Sequence, residues 1–288
     1  MRYAVFTVST PDYEPETTAV RLSEAGYDGV EWRVTDQAPS PDGRPGFWAG
    51  NRATWPLSSF VTDAPRMRDI SDRAGLAMPT LGTYVTCADP GAVETAMRGA
   101  VAAGVRSLRV NLPGYDGKTS YIETRDAALR QYETVADIAG RYGVRALIEL
   151  HMGNILPSAS AAASFVSRFD PAHVGVIHDA GNMVYEGFEN YRLGLESLGP
   201  YLAHVHLKNA RWDAVGTRPD GSVEWRASFS PLRTGVVDVT ALFRALKTVG
   251  YDGWVSMEDF STEMPLDARL ADNLAYARSI EERVAHER

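Results

Sequence analysis

A single cysteine, Cys87, excludes an internal disulfide and any cysteine-rich zinc centre; it fits a reducing compartment and reads as a small buried apolar side chain. Long apolar runs are also missing. None approaches membrane-spanning length, and the opening MRYAVFTVSTPDYEPE turns polar after about seven residues, so neither a membrane partner nor a signal peptide is expected and a cytoplasmic location is. Net charge is −8, the isoelectric point is about 5.3, and no Lys/Arg stripe could track a phosphate backbone, which argues against nucleic acid as a partner. No glycine-rich nest is evident to cradle a phosphate, which argues against a phosphorylated substrate. Residues 1–150 contain no histidine.

What is present is regular alternation. Short β-branched runs alternate with longer segments whose apolar residues recur at helical spacing, and 288 residues with 44% hydrophobic content suffice for a large core. The expected strands are 3–8, 29–34, 78–85, 107–112, 145–151, 174–179, 202–208 and 253–259. Strand then helix, repeated through the chain, predicts a (β/α)8 TIM barrel of the α/β class, one domain over 1–288. A near-repeat supports the regularity: AGYDGVEWR and VGYDGWVSMED each close a helix with Gly, turn through Asp-Gly and enter a strand. Long Pro/Gly-containing loops follow strands two and seven, where a barrel carries its active-site loops.

Four of these strands end on groups that bind hard or borderline cations: Glu149, Asp179, His206 and Glu258. Successive strand residues alternate faces, so Glu149 and His151 share the mouth side of the fifth strand, and His204, His206 and Lys208 that of the seventh. His178 points the other way, toward the helices, and Asp259 caps the following loop or helix. Carboxylates crowded at one mouth repel unless a cation lies among them. Three carboxylates and one imidazole suit one six-coordinate Mn²⁺, Mg²⁺ or Co²⁺, with Zn²⁺ an alternative; Mn²⁺ is the first expectation. Glu31, at the end of the second strand, reads either as a site residue or as a structural hydrogen-bonding group.

The loops supply Trp48, Trp55, Trp212 and Trp225 together with Phe47 and Phe60, whose faces suit the apolar side of a sugar ring or a flat aglycone, or else form the loops' own packing. Asn111, Arg33, Arg211 and Arg226 could meet hydroxyls or a carboxylate. Trp48, Trp55, Arg211, Trp225, Asn111 and Asn182 are the expected substrate-binding set, with the loops 37–60 and 211–233 acting as lids.

The strand carrying Glu149, the HDAGN run, the HVHLKN run and the closing TGVVDVTALFRALKTVGYDGWVSMED resemble the xylose isomerase-like TIM barrels, also called the sugar phosphate isomerase/epimerase or apurinic endonuclease family 2 superfamily. The resemblance covers nearly the whole chain. It implies one divalent metal on Glu149, Asp179, His206 and Glu258. It also implies a sugar or keto-polyol isomerase or epimerase, in which the two glutamates exchange a proton beside a carbonyl through a metal-stabilised enediolate. His151 is a further base or hydrogen-bond donor, and Lys208 a cation beside an enolate oxygen. The alternative is elimination by the same metal site, as in an inosose dehydratase or a C-glycoside deglycosidase. A nuclease or a non-enzymatic sugar-binding barrel completes the alternatives.

Departures narrow the family. Its endonucleases need histidines on earlier strands and one three residues after the aspartate, where Asn182 stands; ketohexose 3-epimerases use a substrate-contacting histidine at that position. The partner implied is a small sugar, keto-polyol or glycoside, with a homo-oligomer or a small accessory subunit as a further expectation.

Overall fold

In the computed structural model, residues 1–287 are described, and eight parallel strands close into a barrel. They are β1 Arg2–Phe6, β2 Gly29–Val34, β4 Leu81–Thr83, β5 Ser107–Arg109, β6 Arg145–Glu149, β7 Val174–Asp179, β8 Leu202–Leu207 and β11 Trp254–Met257. β1 pairs with both β11 and β2, which abolishes the free edges. A two-residue strand, β3 Thr54–Trp55, adds to the end of β2.

Several barrel strands are shorter than the sequence suggested. Pro79 lacks an N–H and truncates the third expected strand at its start, leaving Leu81–Thr83. Pairing resumes beyond the named strands as an isolated bridge between Thr86 and Asn111, whose N–H donates to Val85 at 2.8 Å.

The helices are set by local signals. Asp89 accepts from the Ala92 N–H at 3.0 Å and Pro90 occupies the first turn of α3 Pro90–Ala103; Asp238 caps α8 Val239–Thr248 in the same way. α8 buries Val239, Leu242, Phe243 and Leu246, each contributing roughly 1.5–3 kcal/mol. The main apolar core lies between helices and strands: Trp32 turns outward from β2, and its indole N–H donates to Ser71 of α2 Phe60–Arg73 at 2.9 Å. Phe60, expected in a pocket loop, instead opens α2 and is fully buried where Gly99 leaves room for its ring.

The segment after β8, read from sequence as a loop, is an antiparallel ribbon, β9 Asn209–Thr217 and β10 Val223–Ser230. It turns through Asp220 and Gly221, which takes a positive φ of 86°. Inside the barrel, polar groups replace the usual apolar layers: Glu31, Arg109, His204, His206 and Ser256 are all buried there.

Candidate metal centre

Glu149 ends β6, Asp179 ends β7, His206 lies one residue before the end of β8, and Glu258 follows β11 directly. Parallel register sets Asp179 opposite His206. One donor atom from each of the four residues falls within 4.8 Å of the others, and all four are buried.

Asp179 is divided between two tasks. Its Oδ1 accepts from the Asn182 N–H at 2.8 Å and caps the short helix α6 Ala180–Tyr185. Its buried Oδ2 makes no well-aligned hydrogen bond, although Lys208 Nζ lies 2.9 Å away. A buried carboxylate oxygen met only by a lysine ammonium, beside two glutamates and an imidazole, belongs to a donor set that a hard divalent cation satisfies, so the residues present fit one.

His206 is held from behind. Its Nε2 faces both oxygens of Glu31 at 3.1 Å, and its Nδ1 points at Glu149 at 2.9 Å, with Asp179 and Glu258 each at 3.7 Å. His204 Nε2 lies 3.0 Å from Glu31 and 2.9 Å from Ser256. Burial opposes charge on Glu31, yet the two imidazoles outweigh it and hold this carboxyl far below the usual range. An ionised Glu31 can only accept, so it holds a proton on His206 Nε2. Nδ1 faces the ionised Glu149 and carries a proton as well: burial opposes the charge, but the surrounding carboxylates hold this imidazole well above its usual range. A cation would have to displace that Nδ1 proton to bind there. Phe6 stacks on the ring at 5.5 Å and 27°. Glu31 thus resolves as a group that orients His206.

The two glutamates differ. Burial disfavours charge on Glu149, but Arg109 Nη1 at 2.5 Å, with His206 and Lys208, outweighs it and keeps this carboxyl well below the ordinary range. Burial raises Glu258 to about 7, against the pull of Lys208. Lys208 is itself buried and in contact with Glu258; burial would strip its charge, but Asp179 and Glu258 hold it well above the usual lysine range. Gly181 permits this packing, since a Cβ there would collide with Lys208.

Above the cluster opens a cavity of about 610 Å³ with two unlike walls. Tyr84, Arg109, Asn111, His151 and Asn154 form a polar wall. Trp48, Phe260, Phe229 and Tyr185 form an aromatic one, joined by ring contacts of 5.0, 4.8 and 5.3 Å. Of the four donor residues, Glu149 and Glu258 line the cavity, and so does Lys208. His151 Nδ1 lies 2.6 Å from the Met152 carbonyl, which can only accept, so Nδ1 carries the proton.

The expected substrate-binding set divides. Trp48 and Asn111 line the cavity. Trp55 does not: it is buried edge-on against Trp32 at 5.9 Å, as part of the core. Asn182 is fully buried and donates to the Leu150 carbonyl at 3.0 Å, which ties it to the backbone behind Glu149. Arg211 pairs with Asp213 at 3.2 Å on the ribbon, and Trp225 projects from it, 53% exposed. Arg33 is buried and donates to Gln37 and Thr54 at 2.9 Å, bracing the loop after β2. His178 and Asp259 lie outside the site: His178 is fully buried beside Tyr191, and Asp259 accepts from Ser261 at 2.7 Å and Asn273 at 2.9 Å.

Arg109, Tyr84, Tyr185, Phe229 and Phe260 were not anticipated. Strand alternation places Arg109 on the same side as Asn111 two residues on, and Phe260 stands two residues beyond Glu258.

Among relatives, the chain is 23% identical over 175 residues to inosose dehydratase of Geobacillus thermodenitrificans, covering 59% of this chain and 57% of that one. It therefore spans little more than half the length of that relative. Among solved structures, 3-keto-D-glucoside 4-epimerase from E. coli superposes with a TM-score of 0.70 at 18% identity, over 97% of this chain and 99% of that one. A xylose isomerase-like TIM barrel protein of Mycobacterium smegmatis in complex with magnesium gives a TM-score of 0.70 at 16% identity, over 98% and 97%. The family model described as xylose isomerase-like TIM barrel matches residues 20–280. The chain belongs to the xylose isomerase-like TIM barrel family.

Proposed function

We propose that the protein is a divalent-metal-dependent sugar or keto-polyol isomerase or epimerase that moves a proton at a carbon next to a carbonyl. The observation that carries this reading is the division of the four donor residues. Asp179 and His206 are sealed beneath the cavity, whereas Glu149 and Glu258 line it and can touch a substrate. Two carboxylates beside one carbon can remove a proton and return one.

A divalent cation held by Glu149, Asp179, His206 and Glu258 would supply Lewis-acid stabilisation of the charge that develops on the substrate oxygens. The chain's own residues do the rest. Arg109 keeps Glu149 ionised at the start of a cycle, and Glu258, with its pKa near neutrality, suits a group that alternately holds and releases a proton. The Lys208 ammonium lies at the cavity floor, where it can pair with an enolate oxygen. The aromatic wall takes the apolar face of a sugar ring and excludes water, while Asn111, His151 and Asn154 offer hydrogen bonds to hydroxyls.

Elimination is the second reading, supported by the similarity to a protein named inosose dehydratase. It shares the proton abstraction and differs in the loss of a hydroxyl, for which His151 or Lys208 could donate the proton. The test is incubation with Mn²⁺ in D₂O, followed by NMR, of free ketoses, an inosose and 3-keto-glucosides. Deuterium at the carbon beside the carbonyl, with an epimer or isomer formed, supports the first reading; an unsaturated product supports the second. No exchange with any keto compound defeats both.

A further inference from the structure

Resting on the proton-transfer reading above, we propose that Tyr84 is a positioning residue of this site. Its ring joins Arg33 to Arg109, and so ties the loop that presents Trp48 to the carboxylate of Glu149.

Strand order places it there. β4 lies between β2 and β5, so Tyr84, the residue just beyond the end of β4, falls between Arg33 of β2 and Arg109 of β5. Arg33 Cζ lies 4.8 Å and Arg109 Cζ 4.5 Å from the centre of the Tyr84 ring. Arg109 Cζ also lies 5.4 Å from the centre of the Phe6 ring, and Phe6 stacks on His206 at 5.5 Å. Cation and ring thus alternate in a row from the loop after β2 to the donor cluster. Gly82 makes room for it, since a Cβ there would collide with the Phe6 ring.

Arg33 depends on the ring for its charge. It is 3% exposed, yet among the described residues its hydrogen bonds go to neutral acceptors: Gln37 and Thr54 at 2.9 Å and the Trp48 carbonyl at 3.2 Å. Its buried Nε has no partner. A buried cation without a carboxylate is costly unless a negative surface meets it, and the face of a tyrosine ring is one. The same guanidinium fastens the loop. Gln37 Oε1, which accepts from Arg33, also accepts from the Asn51 N–H at 3.1 Å, and Gln37 Nε2 donates to the Asn51 carbonyl at 2.7 Å. Arg33 therefore holds both ends of the segment 37–51 and the backbone of Trp48 within it.

Arg109 is the catalytic end of the row. Its Nε donates to the Thr83 carbonyl at 3.0 Å, next to Tyr84, and its Nη1 meets Glu149 at 2.5 Å. The Tyr84 and Phe6 rings confine the guanidinium, and the guanidinium fixes the carboxylate. Arg33 is not among the residues lining the cavity, whereas Tyr84, Arg109 and Glu149 are. A shift of the loop is felt at Glu149 through one ring, and a reacting group misplaced by about 1 Å can lose about 10²-fold in rate.

Three measurements on the full chain test this. Amide hydrogen exchange by mass spectrometry reads the loop, Mn²⁺ titration calorimetry reads the donor cluster, and deuterium uptake by methyl 3-keto-β-D-glucopyranoside on the Mn²⁺-loaded protein reads turnover. In Tyr84→Leu, exchange over 37–51 is expected to quicken about tenfold and Mn²⁺ affinity to fall about tenfold. Turnover should show kcat down about tenfold and KM up about threefold. Tyr84→Phe keeps the ring and should restore the slow loop exchange, the Mn²⁺ affinity and most of the lost kcat. Arg33→Gln should lower kcat about threefold alone but no further when Tyr84 is already leucine, as expected of two residues in one row. Should Tyr84→Leu fail to fold, the kcat of Arg33→Gln decides. A lower melting temperature in Tyr84→Leu with loop exchange, Mn²⁺ affinity and kinetics of the wild type makes the ring mere packing and overturns the proposal. So does a Tyr84→Phe variant no better than Tyr84→Leu, or an Arg33→Gln variant with kcat unchanged. If the wild type turns over no keto compound, the reaction proposed above fails, while loop exchange and Mn²⁺ affinity still read both ends of the row.

Discussion

Glu31 and His206 are 175 residues apart in sequence, and the carboxylate faces the imidazole Nε2 with both oxygens at 3.1 Å. The pairing keeps a proton on Nε2, so Nδ1 is the nitrogen that a cation would take. Glu31→Gln keeps the shape but offers an NH₂ as well as an oxygen, so the imidazole can flip or change tautomer. We expect Mn²⁺ affinity to fall about 10–100-fold, the range for loss of such a supporting group, with the secondary structure intact by circular dichroism. An unchanged affinity by titration calorimetry would show that β8 and Phe6 alone orient the ring.

Glu149 and Glu258 should respond differently to the same substitution. Both Gln variants are expected to lose deuterium exchange, because an amide does not carry the proton. Glu149→Gln also strips Arg109 of its buried partner, and breaking a buried pair costs about 3–5 kcal/mol. Glu258→Gln removes a carboxyl whose charge is already disfavoured by burial, and Lys208 keeps Asp179. Thermal melts should therefore drop clearly for the first variant and little for the second. Equal melting temperatures would mean that Arg109 finds another acceptor.

The four donor residues were legible because each lies at the end of a β-branched run, and strand alternation and parallel order are local signals. The support behind them was not. Glu31 meets His204 and His206 across the barrel, at separations of 173 and 175 residues, and nothing near Glu31 in sequence announces an imidazole. Trp55 and Phe60 were misplaced because an aromatic side chain in a polar stretch carries no sign of whether it turns to a cavity or to the core; the pairing of Thr54–Trp55 with β2 settles it inward. The ribbon did leave a trace, Asp220–Gly221 between two alternating runs, but tryptophan and arginine so close to a strand end read equally well as loop.

Trp48 separates cavity lining from loop packing. It touches Phe47 and Phe260 yet is 54% exposed, so Trp48→Ala leaves a shallow surface gap and should change stability by no more than about 0.5 kcal/mol. Loss of a stacking face should raise KM about three- to tenfold with kcat little affected. A large fall in melting temperature with KM unchanged would make this ring the loop's own packing.

Lys208 pairs with two of the carboxylates that a divalent cation at this cluster would take. The ammonium lies 2.9 Å from Asp179 Oδ2 and contacts Glu258, so without a metal it is a cation holding these two acidic side chains together. Lys208→Met fills similar space without charge. In EDTA the variant should lose about 3–5 kcal/mol of stability relative to wild type, the cost of leaving buried charges uncompensated. Saturating Mn²⁺ should recover most of that loss, because the ion supplies the missing positive charge. Melting curves with and without Mn²⁺ read both effects. If the variant is equally destabilised in both conditions, Lys208 acts by packing against Phe229 and Phe260, which its ammonium approaches at 5.6 and 5.4 Å, rather than by charge.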